Sequence, residues 1–191
     1  NVAVANFYGA HDDEAISETV HTSIVISIIG GTVLLGIGLI FARPILEMMD
    51  SPETVLPLST LYLRIFFLGM PAMLLFNFCA SILRACGDSK HPLYYLALAG
   101  VLNVLMNLFF VIVLHMSVAG VALATILSQH ISTFLILRQM VKSNSAIKIQ
   151  FRKLRISKSK LIRILRVGVP AGIQSSLFAL SNVIIQSAVN S

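Results

Sequence analysis

No Asp, Glu, Lys or Arg occurs between Pro92 and Leu137, and none between Val167 and Ser191. Separating these two runs is Arg138 to Arg166, which holds ten of the chain's fourteen Lys and Arg and no acid. Both apolar runs exceed the ~20 residues that a helix needs to cross a bilayer. Basic connectors between membrane spans stay on the cytoplasmic side. This stretch therefore sets the direction of every helix around it. A basic nucleic-acid arm carries similar charge, but apolar flanks do not suit one, and no nucleic-acid partner is expected.

Composition agrees with a membrane protein. Residues are 57% hydrophobic and only 12% charged, and mean hydropathy is +0.88, far from the balance of a soluble domain of this length. The net charge of +6 comes from the basic stretch, so it reports topology and attraction to anionic lipid. Cys79 and Cys86 lack CxxC spacing and suggest neither a metal site nor a disulfide. Asn1 to Tyr8 reads as the tail of a span, and Val167 to Ser191 runs on without a closing charge. The chain reads as a piece of a longer membrane protein.

Five spans are expected. His11 to Glu18 is a polar loop, followed by span A from about Val20 to Phe41. Its Ser23, Ser27 and Gly31 recur every four residues, a small-residue stripe that lets helices approach closely in lipid. Arg43 to Ser59 is read as a loop with three prolines. Span B, about Leu61 to Leu83, has Pro71 in its interior and Asn77 one to two turns on. Pro71 removes a donor and frees the Phe67 carbonyl, which predicts a kink. Gly87 suits the left-handed residue that closes a helix, with Pro92 stopping continuation. In span C, about Leu93 to Leu114, Asn103 and Asn107 share one face. Only His115 to Ser117 separates it from span D, about Val118 to Leu137, so C and D form a tight antiparallel hairpin. Thr125, Gln129 and Ser132 make the polar stripe of D, with Ser128, His130 and Thr133 beside it. Leu161, Ile164 and Leu165 recur among cations, which suggests an interfacial helix. Span E then runs from near Ile164 to Val189, with Pro170 and Gly172 early and a stripe of Ser175, Asn182 and Gln186.

With the basic stretch inside, the Arg84 to Pro92 loop falls inside too, and the Arg43 to Ser59 loop falls outside. The His11 to Glu18 loop also falls inside, although it has no Lys or Arg; acids contribute little to this rule.

Reactive motifs are missing from the sequence. It has no GxxxxGK[ST] phosphate loop, no HExxH and no GxSxG, and no Asp or Glu lies in an expected span. What remains is neutral polar helix faces with prolines and glycines, which suits a solute path between moving helix bundles.

Three segments together resemble the multidrug and toxic compound extrusion (MATE) family, most like its DinF-like bacterial branch. They are Arg84-Ala85-Cys86-Gly87-Asp88-Ser89-Lys90-His91-Pro92, the opening of span D from Val118-Ala119-Gly120-Val121 to Gln129, and Gly168-Val169-Pro170-Ala171-Gly172-Ile173-Gln174. Asn6-Phe7-Tyr8-Gly9-Ala10 is similar to the family's second-helix ending. The resemblance implies an all-α, polytopic transmembrane bundle, part of a two-lobed transporter of twelve helices. Residues 1–137 would then hold the end of helix two and helices three to six. Residues 138–166 would be the cytoplasmic connector, and 167–191 the first helix of the second half.

The resemblance further implies export of cationic or amphipathic drugs in exchange for sodium ions or protons, with no other cofactor. Partners would be the bilayer, the substrates and the rest of the same chain, in a bacterial cell membrane. Asn103, Asn107 and Thr125 match polar positions that line the first-half cavity. Counting ~1.5 Å per residue puts Asn107 and Thr125 at one depth, with Asn103 a turn deeper; Asn77 and Gln129 are further candidates. Some members carry an acid at the position of Asn107, and another branch carries one in helix seven. Both positions are neutral here. Pro71 and Pro170 are candidate hinges.

Two other readings compete. A flippase for lipid-linked saccharides would show more cations facing its cavity than these spans carry. A membrane-embedded enzyme subunit would need a reactive constellation. The charge pattern makes a direct prediction about topology. In intact cells making the full-length protein without native cysteines, Ser143→Cys and Ser157→Cys are expected to be shielded from an impermeant thiol reagent, and Thr54→Cys to react. Labelling of Ser157→Cys from outside would reverse the orientation.

Overall fold

The structure is a computed structural model that describes residues 2–49 and 52–190, without the side chains at 151, 179–180 and 182–190. Asn182 and Gln186 of the expected span E stripe therefore lie outside the described residues. The helices are α1 (Val2–Gly9), α2 (Asp13–Met48), α3 (Leu56–Leu68), α4 (Met70–Ala85), α5 (Lys90–Leu108), α6 (Val118–Lys142) and α7 (Lys158–Asn190). A π-helical turn, Phe109–Val113, extends α5, and a 3₁₀ turn, Phe151–Lys153, interrupts the connector. No strand occurs among the described residues. Helices α2, α5 with its π-turn, and α6 are each long and apolar enough to span a membrane, and α3 with α4 qualifies as one bent span.

Several boundaries differ from expectation. The acids read as a loop before span A are mostly the first turns of α2. Asp12 caps that helix, its Oδ1 accepting the Ala15 N–H at 2.9 Å, and Asp13 and Glu14 favour the positive end of the helix dipole. At the other end α2 continues through Pro44 to Met48. One missing donor does not end it, and the exposed i,i+4 pair Arg43–Glu47 spans the proline at 2.7 Å. The expected interfacial helix is not separate either. Lys158 to Arg166 forms the first turns of α7, which runs unbroken through Pro170.

The break at Pro71 is present. Helices α3 and α4 meet at Gly69 with a bend of 44°. Two neighbours seat the bend. Thr133 on α6 donates its hydroxyl to the Ala72 carbonyl at 2.9 Å. On α2, Gly31 lies so close that a Cβ there would overlap the Cα of Pro71. The Ser23, Ser27 and Gly31 stripe is accordingly buried in packing. The loop after α4 also follows its sequence. Gly87 has φ +88°, and the Asp88 N–H reaches back to the Leu83 carbonyl at 2.9 Å. Pro92 sits in the first turn of α5. A proline tolerated there starts the next helix rather than merely ending the last one.

The best-buried core lies at the connector end. Val4, Ile16, Val20, Phe76, Leu83, Ile136, Met140 and Ile149 pack together there, from α1, α2, α4, α6 and the connector. Elsewhere large apolar side chains face outward, among them Val33, Ile37, Val101, Val104, Leu105 and Phe134. Such surface suits lipid or further helices rather than water. The seating of Gly31 against Pro71 predicts that Gly31→Ala costs about 1–3 kcal/mol, seen as a lower melting temperature of the full-length protein in detergent. Gly36→Ala, where a Cβ meets nothing within 4 Å, is the control and should melt with the parent. Equal melting of all three proteins would remove the close-packing argument.

Candidate functional site

The hairpin of α5 and α6 holds a chain of hydrogen bonds that all point one way. The Thr125 hydroxyl donates to its own helix at the Val121 carbonyl, 3.0 Å away. Its proton spent, Thr125 Oγ1 accepts from the Asn103 amide at 3.3 Å, and that amide also lies 3.5 Å from Ser128 Oγ. Asn103 Oδ1 in turn accepts from the Asn107 amide at 3.0 Å. The series ends at Asn107 Oδ1, which is buried and has no partner among the described residues. In this arrangement Thr125 Oγ1 and Asn103 Oδ1 each have a donor; reversing both amides together would run the series the other way, from the Ser128 or Thr125 hydroxyl, and leave an amide N–H at the open end. As arranged, the site presents one lone acceptor. Its natural complement is a donor or a cation.

Residues around the cluster explain its position. Asn103 and Asn107 are one turn apart on α5 and so share a face. The π-turn begins two residues after Asn107, and π-turns are often found at functional sites. Gly120 on α6 lets that turn lie close, since a Cβ there would sit 2.9 Å from Met116 Cβ and 3.0 Å from Phe110 Cβ. A count of uniform helix rise pairs Asn107 with Thr125; in the structure the amide that meets Thr125 belongs to Asn103, one turn nearer the connector end.

The other candidates stand apart from this series. Gln129 is half-buried one turn along α6, where its backbone carbonyl accepts from the Ser132 hydroxyl at 2.9 Å and shares the single Thr133 hydroxyl proton, at 2.7 Å, with the Ala72 carbonyl. Asn77 is exposed on α4 and donates to the Met73 carbonyl of its own helix at 2.8 Å. It lines a groove of about 340 Å³ with Thr19, Ser23, Ile164 and Gly168, between α1, α2, α4 and α7. Pro71 is at the bend described above, and Pro170 lies within an unbroken helix. His130 is exposed and bonds the Ile126 carbonyl of its own helix at 2.7 Å.

A second polar cluster, at the connector end, is not legible in the sequence. His21 on α2 is 2% exposed. Its Nδ1 lies 2.7 Å from the Ser17 carbonyl, and its Nε2 accepts the Gln150 N–H at 3.0 Å. Thr22 accepts the Ser157 N–H at 3.1 Å. Glu18 lies 3.5 Å from Arg155 and 3.8 Å from Lys160. The start of α2 therefore shares a side with the basic connector. The loop between α4 and α5 does too: Gln139 on α6 bonds both Tyr95 and Asp88. Of the acids near the start of α2, Glu18 faces connector cations, so that segment lies on the connector's side although it has no Lys or Arg of its own.

Comparison with known proteins gives a consistent result. The family model described as MatE matches residues 1–109. The chain is 36% identical over 201 residues to "Probable multidrug resistance protein YoeA" of Bacillus subtilis, covering 100% of this chain and 42% of that protein. It is also 36% identical over 155 residues to "Probable multidrug resistance protein YpnP" of the same organism, covering 81% of this chain and 34% of the relative. Among solved structures, "Crystal structure of MATE in the bent conformation" superposes with a TM-score of 0.88 at 26% identity, over 93% of this chain and 40% of that one. The chain thus spans well under half the length of these relatives. Its helices, its match to the family model and its likeness to a solved member agree: the chain belongs to the MatE family of multidrug and toxic compound extrusion transporters, which are membrane transporters and not enzymes.

Proposed function

We propose that the full-length protein is a secondary antiporter of a bacterial cell membrane. It exports cationic or amphipathic drugs in exchange for sodium ions or protons by alternating access. The observation that carries this reading is the unpartnered acceptor at Asn107 Oδ1. In this reading the coupling acid belongs to helix one, outside these residues. A protonated carboxyl, a sodium ion or a substrate ammonium would each complete the hydrogen-bond series from its open end. In this reading Asn103, Asn107 and Thr125 line the first-half cavity and tune the affinity of that acid for its ion. Gln129 and Asn77 border the path at other depths. No metal centre or organic cofactor takes part, and the partners are lipid, substrate and the remaining helices of the same chain.

Polar side chains between membrane helices can also serve as plain adhesive, worth only about 0.6–2 kcal/mol each. The two roles give different results in full-length protein. In the cavity reading Asn107→Ala keeps normal expression but shifts the pH or sodium dependence of efflux, and Thr125→Ala shifts it similarly. If both variants lose thermal stability while transport per molecule keeps the parent's ion dependence, the cavity assignment fails.

Alternating access needs places where helices flex, and helices bend where the backbone ladder is broken. The bend at Pro71 is seated by Thr133 and Gly31, so its motion would be coupled to α2 and α6. Pro71→Ala is expected to reach the membrane normally yet to slow export several-fold in vesicle assays, with Pro170→Ala acting in the same direction. Parental export rates in both variants would remove the hinge role.

A further inference from the structure

His21 faces a chain segment far from it in sequence. The neutral imidazole has one N–H and one lone pair. Nδ1–H is directed at the Ser17 carbonyl, which leaves the Nε2 lone pair to receive the Gln150 N–H. Both partners are backbone groups, so no rotation of a partner side chain can rescue the contact if the ring changes state. A second proton on the ring fills the lone pair. The Gln150 N–H would then face another N–H in a buried place, which is costly.

The remaining ties between this part of the connector and α2 are weaker. Thr22 Oγ1 accepts from Ser157 N–H at 3.1 Å and lies 3.5 Å from the Arg155 carbonyl. The Glu18 pairs with Arg155 and Lys160 are long, and Arg155 is 77% exposed, so screening by water leaves that pair little weight; Lys160, better buried, belongs to α7 and does not hold residues 150–157. Charged groups around His21 oppose one another. Asp13, Glu14 and Glu18 line the same groove from α2, and Arg152, Lys153 and Arg155 line it from the connector. With both signs present, the hydrogen bond to Gln150 is what separates the two states of the ring. Ile149 marks the limit of the effect: it is buried, and its N–H is held by the Met140 carbonyl at 3.2 Å.

We propose that His21 is a proton-operated latch for the connector between the two halves. Neutral, it holds residues 150–157 against the inner end of α2; doubly protonated, it releases them while Ile149 stays anchored. Docking and a second ring proton compete for the same lone pair, so the two exclude each other. This goes beyond the transport reading and does not depend on which ion drives export. Its consequence is a connector that loosens when the ring takes a second proton.

The test uses full-length protein in liposomes, with Cys79 and Cys86 replaced and a nitroxide label at Ile156→Cys, a position 46% exposed. Between about pH 8 and about pH 5.5 the mobile fraction of the label is expected to rise several-fold. His21→Gln should abolish the rise, because the glutamine oxygen can accept the Gln150 N–H at either pH. Glu18→Gln should keep it, and so should Thr22→Val, with greater mobility at both ends. A flat response in the parent overturns the proposal even if His21→Gln cannot be produced. So does an unchanged rise in His21→Gln, or a rise lost in Glu18→Gln, which would assign the proton to the carboxylate.

Discussion

Hydrocarbon offers no hydrogen bonds, so backbone groups that leave the helical ladder inside a membrane must find partners within the protein. That constraint runs through the whole fold. It is why the chain is helical wherever it is apolar, and why its two departures from regular helix are both braced. At the bend between α3 and α4, the Gly69 N–H returns to the Phe66 carbonyl and the Met73 N–H to the Gly69 carbonyl, and the Thr133 hydroxyl adds a tie from α6 to Ala72. In the π-turn after α5, the Leu114 N–H returns to the Phe109 carbonyl and the Met116 N–H to the Phe110 carbonyl. Small residues make this bracing possible. Gly31 admits the proline of the bend, and Gly120 admits the π-turn.

The same constraint gives the α5–α6 cluster its significance. Serine and threonine on membrane helices commonly satisfy themselves by donating to a carbonyl one turn back, as Thr125 and Ser128 do here. Asparagine has a donor and an acceptor to place. Two asparagines in series pass the need along the helix face until one carbonyl is left over. An orphan acceptor at membrane depth is unfavourable unless something completes it. A transporter that must bind and release an ion can use such a vacancy, because an occupant held by a single neutral dipole gains and loses it readily.

At the connector end the physics changes from hydrocarbon to interface. There the protein joins a strongly basic segment to the acidic start of α2, using one buried histidine, one threonine and loose ion pairs. The connector is therefore part of the folded half and not a tether. Helix α7 begins beside this docked region and continues without a break.

Much of this was legible in the residues. The charge-free runs and the basic stretch determined helical membrane spans. Pro71 marked the bend, Gly87 the left-handed turn, and Asn103, Asn107 and Thr125 the polar face of the hairpin. These features are local: a proline lacks its donor, and an asparagine in lipid needs partners, wherever the rest of the chain goes. Helix ends were less legible. Asp12 caps a helix in a segment that reads as a loop, and Pro44 fails to end α2, because charged flanks look alike whether they are coil or helix outside the bilayer. The pairing of Asn103 with Thr125, the vacancy at Asn107, and the docking of Gln150 on His21 were decided only by tertiary structure. Each depends on register or approach between segments, and for His21 the partner lies 129 residues away. Residue type states what a side chain needs; only packing decides which neighbour supplies it and which need is left open.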